Sequence, residues 1–216
     1  MSQAKKTSGS AGGTDGTKAA ERLARILDAL RRCILRQGYS ATSFNELAQE
    51  AGMSPSHVFY YFQGKDAVLQ ELYRDLAQRL IASVSLLQEK SPEEQFQAMS
   101  DYAFAGEAFT HDERLVFTEL IGQSLHNPSV REIRDGLTTA VVQYLTNVFE
   151  DCERAKGLSA DNSGLVAAAL GTGLIVFCCC DLLPPDHARI LLHEGLRKIG
   201  GFEVQAGMEI DPPAGD

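Results

Sequence analysis

A chain of 216 residues has room for one large domain or a small one beside a larger one, and 44% hydrophobic with 23% charged residues is the balance of an ordinary globular protein. That excludes a wholly disordered chain, a collagen and a disulfide-stapled miniprotein. The net charge of −9 argues at first sight against nucleic acid, but it is unevenly placed: residues 1–65 carry nine Lys/Arg and five Asp/Glu, the rest of the chain eleven and twenty-four. A basic N-terminal part on an acidic protein is a nucleic-acid signal that the whole-chain charge conceals.

Taken in chain order, residues 1–16 are Ser, Gly, Thr and Lys-rich and read as a disordered tail without the apolar segment of a signal peptide. From Thr17 the pattern is helical, with Leu23, Ile26, Leu27, Leu30 and Ile34 on one stripe, Arg22, Arg25, Arg31, Arg32 and Arg36 around it, and Gly38 as a left-handed stop. Ser43-Phe44-Asn45-Glu46 has the S-x-x-E form of a capping box and opens a short second helix that Gly52 ends. Ser54 caps a third, with Pro55 at its first position, where a missing N–H costs nothing. A long fourth helix follows Gly64. Further starts lie at Ser91-Pro92 and near Asp112-Glu113. Asn127-Pro128 opens a helix running to about Ala155, with a stop at Gly157, and Ser159 or Asp161 opens an apolar helix ending near Leu183. Pro184-Pro185 breaks the chain before a last amphipathic helix that Gly200-Gly201 ends. No segment alternates with period two, so the expected fold is all-α with about nine helices and a loose tail over 202–216. The longest uncharged apolar run, Leu165–Cys180, is interrupted by Gly171 and Gly173 and is shorter than the roughly 20 residues of a membrane span, so it is expected to be a buried helix.

Two short helices joined at Ala51-Gly52-Met53-Ser54 form a helix-turn-helix, in which a Gly-containing turn lets the second helix project into a major groove. The residues around it resemble the tetracycline-repressor (TetR) family of transcription regulators over roughly residues 23–69: Gly38, Thr42-Ser43, Leu47-Ala48, the turn Ala51–Ser54, the aromatic cluster Phe59-Tyr60-Tyr61-Phe62 and the pair Lys65-Asp66 fall in register without a gap. The resemblance implies a DNA-binding head over 17–65, a ligand-binding and dimerisation domain over 66–201, and a homodimer paired through its last two helices that leaves a pseudo-palindromic operator when a small effector binds. It places Thr42 and Ser43 near phosphate, Asn45 near phosphate or a base edge, and Ser54, Ser56 and His57 at base edges. It places Tyr60, Tyr61 and Lys65 on the backbone, with Tyr61 as readily a core brace. Two departures, Asn45 for a common Arg and Phe59 for a common Tyr, support the alternative of a helical ligand- or partner-binding protein with an inactive head. Gly64 replaces a common Ser or Asn cap.

For the effector, the aromatic and apolar residues Tyr102, Phe104, Phe109, Phe117, Ile121, Ser124, Tyr144 and Phe177 are the expected walls of a largely apolar pocket. Glu107, His111 and Glu119 hint weakly at a cationic ligand. Leu165–Leu183 is apolar on nearly all sides, with Gly171 and Gly173 allowing close approach of another helix, as a dimer interface needs. His126, His187 and His193 lie far apart, and the Cys178-Cys179-Cys180 run points its thiols about 100° apart on a helix, so neither a metal site nor a cofactor is expected. No phosphate-binding loop, dinucleotide fingerprint or nucleophile elbow is present, so the chain is not read as an enzyme. Unpaired cysteines fit a cytoplasmic protein.

Overall fold

The computed structural model describes residues 13–106, 108–152 and 160–203, which form nine α-helices and no strand. The tails over 1–12 and 204–216, Glu107, Ala155 and the stop at Gly157 lie outside the described residues. The chain divides into two compact units, Met1–Leu72 and Tyr73–Asp216, and the division falls inside a helix rather than at its start, where the sequence places it.

The first unit contains α1 (Gly13–Gln37), α2 (Phe44–Glu50), α3 (Pro55–Tyr61) and the first turns of α4 (Lys65–Ser85). Helix α1 begins four residues ahead of the expected Thr17. Its stripe of Ile26, Ala29, Leu30, Cys33 and Ile34 is buried together with Leu47, Ala48, Val58, Phe62, Val68, Leu69 and Leu72. The expected caps are present. Ser43 accepts from the Glu46 N–H at 3.2 Å while Glu46 accepts from the Ser43 N–H at 2.8 Å, and Ser54 accepts from the His57 N–H at 3.2 Å. Gly52 holds the turn at φ +66°, a conformation side chains rarely adopt. Two arginines of α1 clamp α2: Arg32 Nε donates to Glu50 at 2.6 Å and Arg36 at 3.0 Å, which holds the Glu50 carboxyl below its ordinary range.

The second unit holds the rest of α4, then α5 (Pro92–Phe104), α6 (His111–Ser124), α7 (Pro128–Glu150), α8 (Ala160–Cys179) and α9 (Pro185–Ile199). Helix α8 packs on α6, α7 and α9, and α9 packs on α5. Their shared core includes Phe96, Leu145, Val148, Phe149, Leu174, Leu192 and Leu196. Helix α6 starts one turn-residue earlier than the sequence signal, because Thr110 rather than Asp112 is the cap and accepts from the Glu113 N–H. Helix α8 ends before the expected Leu183. Asp181 adopts φ +56°, and the Leu182 N–H reaches back to the Phe177 carbonyl at 2.9 Å while Asp181 N–H reaches Cys178 at 3.3 Å, a left-handed helix stop made without glycine.

The apolar stretch Asn162–Cys179 of α8, mean hydropathy 1.7, is long and apolar enough to cross a membrane by length and composition. Only 28% of it is buried within this chain. Ala167, Leu174 and Cys178 face the core, while Leu165, Val166, Ala169, Thr172, Gly173 and Phe177 form an exposed stripe. Gly171 and Gly173 do not mark the tight approach inside the chain. That role belongs to Gly164, where a Cβ would lie 2.8 Å from the Val142 carbonyl and 2.9 Å from the Thr146 nitrogen of α7.

Candidate functional site

Helix α3 is held from below and open from above. Val58 and Phe62 are buried, whereas Ser54, Ser56, His57, Phe59 and Tyr60 are exposed, Tyr60 by 79%. A seven-residue helix cannot hold itself in water, so its aim is set by this burial, by the Ser54 cap and by an edge-on contact of Phe59 with Phe44 of α2 at 6.3 Å. Phe59, where a hydroxyl was absent from the expected phosphate contact, therefore braces α3 against α2. Tyr60 meets Tyr61 edge-on at 5.1 Å, and Tyr61, half buried, accepts from Arg22 of α1 at 3.3 Å. Arg22 escaped the sequence reading as a site residue, because its partner lies 39 residues away.

Three other residues sit differently from their expected roles. Thr42 is only 1% exposed and its hydroxyl donates to the Gly38 carbonyl at 2.9 Å, so it closes the end of α1 rather than facing a phosphate. The Lys65 ammonium turns inward, donating to the Tyr39 carbonyl at 2.9 Å and the Thr42 carbonyl at 2.6 Å over the Tyr39 ring, and Tyr39 Oη donates to the neighbouring Asp66. Lys65-Asp66 is thus a clasp between the start of α4 and the α1–α2 connection. Gly64 is more than a tolerated cap, since its φ of +112° favours glycine. Ser43 and Asn45 are exposed at the start of α2.

In the second unit the helices enclose a cavity of about 700 Å³. Of the expected wall residues, Tyr102, Phe109, Phe117 and Ile121 line it, with Tyr102 stacked on Phe109 at 5.9 Å and Phe117 edge-on to Phe109 at 5.9 Å. Phe104, Ser124, Tyr144 and Phe177 do not. Phe104 and Tyr144 are buried in the core, the latter donating to Gln95; Ser124 is buried, donating to the Ile121 carbonyl; and Phe177 is 52% exposed on the outer stripe of α8. Phase on the helix decides this, and aromatic character alone does not reveal phase. The remaining walls come from α4, α5, α7, α8 and α9, among them Leu80, Val84, Met99, Leu137, Ile175 and Leu192, with Tyr73, Ser83, Arg134, Thr138 and Thr172 as polar members. No Asp or Glu lines it among the described residues, and His111 and Glu119 lie elsewhere, so the hint of a cationic ligand finds no support in the wall.

Tyr73 is fully buried, and its hydroxyl has no hydrogen-bond partner among the described residues. Burial pushes it up to about 12, against the pull of the nearby Arg134, so at neutral pH it is a proton-bearing donor. Arg134 binds Asp135 through Nε at 3.0 Å and Nη2 at 2.6 Å, and Ser124 through Nη1 at 2.9 Å. The connection between α5 and α6 is pinned by a buried arginine, Arg114, whose Nη1 donates to the Ala103 carbonyl at 3.1 Å and the Phe109 carbonyl at 2.9 Å. The cysteine run is dispersed as its spacing requires: Cys178 buried, Cys179 half buried against Thr118, Cys180 exposed.

A helix-turn-helix head and a helical chamber in one chain are the make-up of a ligand-responsive transcriptional regulator, and comparison with known proteins agrees. Residues 26–72 match the model for bacterial regulatory proteins of the tetR family, and residues 92–201 match that for the C-terminal domain of BetI-type transcriptional repressors. The chain belongs to the TetR family of transcriptional regulators. It is similar to the transcriptional regulator UidR of Escherichia coli, 22% identical over 188 residues covering 86% of this chain and 95% of that one. Among solved structures, a transcriptional regulator from Rhodococcus sp. Rha1 superposes with TM-score 0.73 at 24% identity, covering 82% and 95% of the two chains. A regulator from Saccharomonospora viridis in complex with choline does so with TM-score 0.71 at 22% identity, covering 80% and 94%.

Proposed function

We propose that this regulator is a cytoplasmic repressor that binds a pseudo-palindromic operator as a homodimer and leaves it when a small, largely apolar effector enters the cavity of the second unit. The observation that carries this reading is the face of α3. Ser54, Ser56, His57 and Tyr60 stand open to solvent on a helix whose other side is locked into the head, so base edges and phosphates can be met without rearrangement. Asn45 and Ser43 extend that face onto α2.

The exposed stripe of α8 is where a second subunit would pack. A run of Leu165, Val166, Ala169, Thr172, Gly173 and Phe177 left in water is costly, and a copy of the same helix offers the same small and apolar residues in return. Leu165, Ala169, Thr172 and Gly173 also belong to the cavity wall, so that partner would close the chamber from this side.

Helix α4 is the lever. Its first turns are buried with the head through Val68, Leu69 and Leu72, and its later turns line the cavity through Tyr73, Leu80, Ser83 and Val84. An effector that favours one placement of those later turns shifts the head's population only by its difference in affinity for the two states. The test is fluorescence anisotropy of the purified protein on DNA from upstream of its own gene, at low and high salt, with random DNA as control. Selective, salt-sensitive binding is expected. His57→Ala and Ser56→Ala should change sequence preference, and Tyr60→Ala should weaken binding to all sequences. Binding no better than to random DNA, at every candidate fragment, would favour a ligand-binding protein with an inactive head.

A further inference from the structure

The cavity's largely apolar wall carries Tyr73 and Arg134, with Ser83, Thr138 and Thr172 among its further hydroxyl-bearing residues. Tyr73 is fully buried in that wall with a hydroxyl that no described residue engages. A buried donor without a partner is destabilising, by an amount comparable to a hydrogen bond to a charged group, so a cavity-lining one is matched by what the cavity holds. Arg134 lines the same cavity. Its contacts to Asp135 and Ser124 engage three of the five guanidinium N–H groups, leaving one on each terminal nitrogen. Asp135, which shares the guanidinium, has a side chain 59% exposed and does not line the cavity, whereas Arg134 lines it with a side chain 27% exposed. Arg134 can only donate, and the Tyr73 hydroxyl has a proton to donate. Across from them the wall is aliphatic and aromatic, with the stacked Tyr102–Phe109 pair and Phe117.

We propose that the effector is an apolar carboxylate, its head accepting from Tyr73 Oη and the free donors of Arg134 and its hydrocarbon body lying along the aromatic wall. This rests on the reading of the cavity as the effector chamber. A quaternary ammonium, which the aromatic faces of the same wall would attract, could not accept from these donors and is the competing outcome.

The test uses the full-length protein and N-phenyl-1-naphthylamine, a neutral fluorescent probe of apolar cavities, displaced by decanoate or by decyltrimethylammonium below their micellar concentrations. Decanoate should displace the probe at an about tenfold lower concentration than the ammonium, the difference that one charge-assisted contact produces. Arg134→Met should abolish that preference and Tyr73→Phe should weaken decanoate several-fold, while both variants bind the probe as the parent does, which shows the chamber intact. Equal displacement by the two, preference for the ammonium, or a preference untouched by both substitutions would overturn the proposal and leave the chamber reading standing. Failure of the probe to bind at all would overturn both.

Discussion

Lys65 shows how a single side chain can be misplaced by analogy and recovered by geometry. Read as a phosphate contact, its loss would weaken DNA binding alone. As a clasp donating to the Tyr39 and Thr42 carbonyls, it holds the head together. Lys65→Ala should therefore cost about 1–3 kcal/mol of stability, lowering the urea midpoint and DNA affinity together. Affinity lost at an unchanged midpoint would restore the phosphate role. The head also has a defined acid limb. Glu50 is held below its ordinary value of 4.5 chiefly by its hydrogen bond to Arg32, then Arg36, and Glu46 by the Ser43 N–H, then the Ser43 hydroxyl. Both pKa values are depressed on folding, so both contribute stability above the ordinary value that is lost as pH falls through the folded one. Thermal unfolding followed by circular dichroism should show the midpoint falling from about pH 5 downward, and Glu50→Ala should lower the neutral midpoint while flattening that fall.

Among the elements, the helix starts at Ser43 and Ser91 were legible because each serine stands three residues before a glutamate, a cap made between neighbours in sequence, whereas Thr110 before Glu113 was passed over for Asp112. The end of α8 was not, because Asp181 takes a left-handed conformation that glycine would have advertised and aspartate does not. The tight seam between α7 and α8 was also hidden. Gly171 and Gly173 drew notice inside an apolar run, but they line the cavity, and Gly164 is the residue pressed against Val142 and Thr146. Gly164→Ala should destabilise the second unit by about 1–3 kcal/mol, since the nearest obstructions include backbone that cannot swing aside. Gly122→Ala, with nothing near its added methyl, is the control and should leave stability unchanged or raise it by up to about 1 kcal/mol.

At the scale of the molecule, the family, the all-α class and the helix-turn-helix could be taken from sequence because their signals are short-range and in register. The chamber could not: its wall joins Tyr73 on α4 to Arg134 on α7, and no pattern along the chain pairs them. The outer stripe of α8 makes a further prediction. Phe177→Glu puts a charge on a face that the proposed dimer would bury, and sedimentation velocity should report a folded monomer where the parent sediments as a dimer. An unchanged dimer would place the interface elsewhere. The division of the chain between Leu72 and Tyr73 has a consequence for anyone recombining such regulators. Two consecutive residues of one uninterrupted helix belong to different units. Inserting a single residue there would turn the rest of that helix by about 100° and advance it about 1.5 Å. A chimaera splicing this head onto a foreign chamber must therefore conserve helical phase before it conserves any particular side chain, and junctions out of phase should yield proteins that fold, bind effector and no longer answer to it.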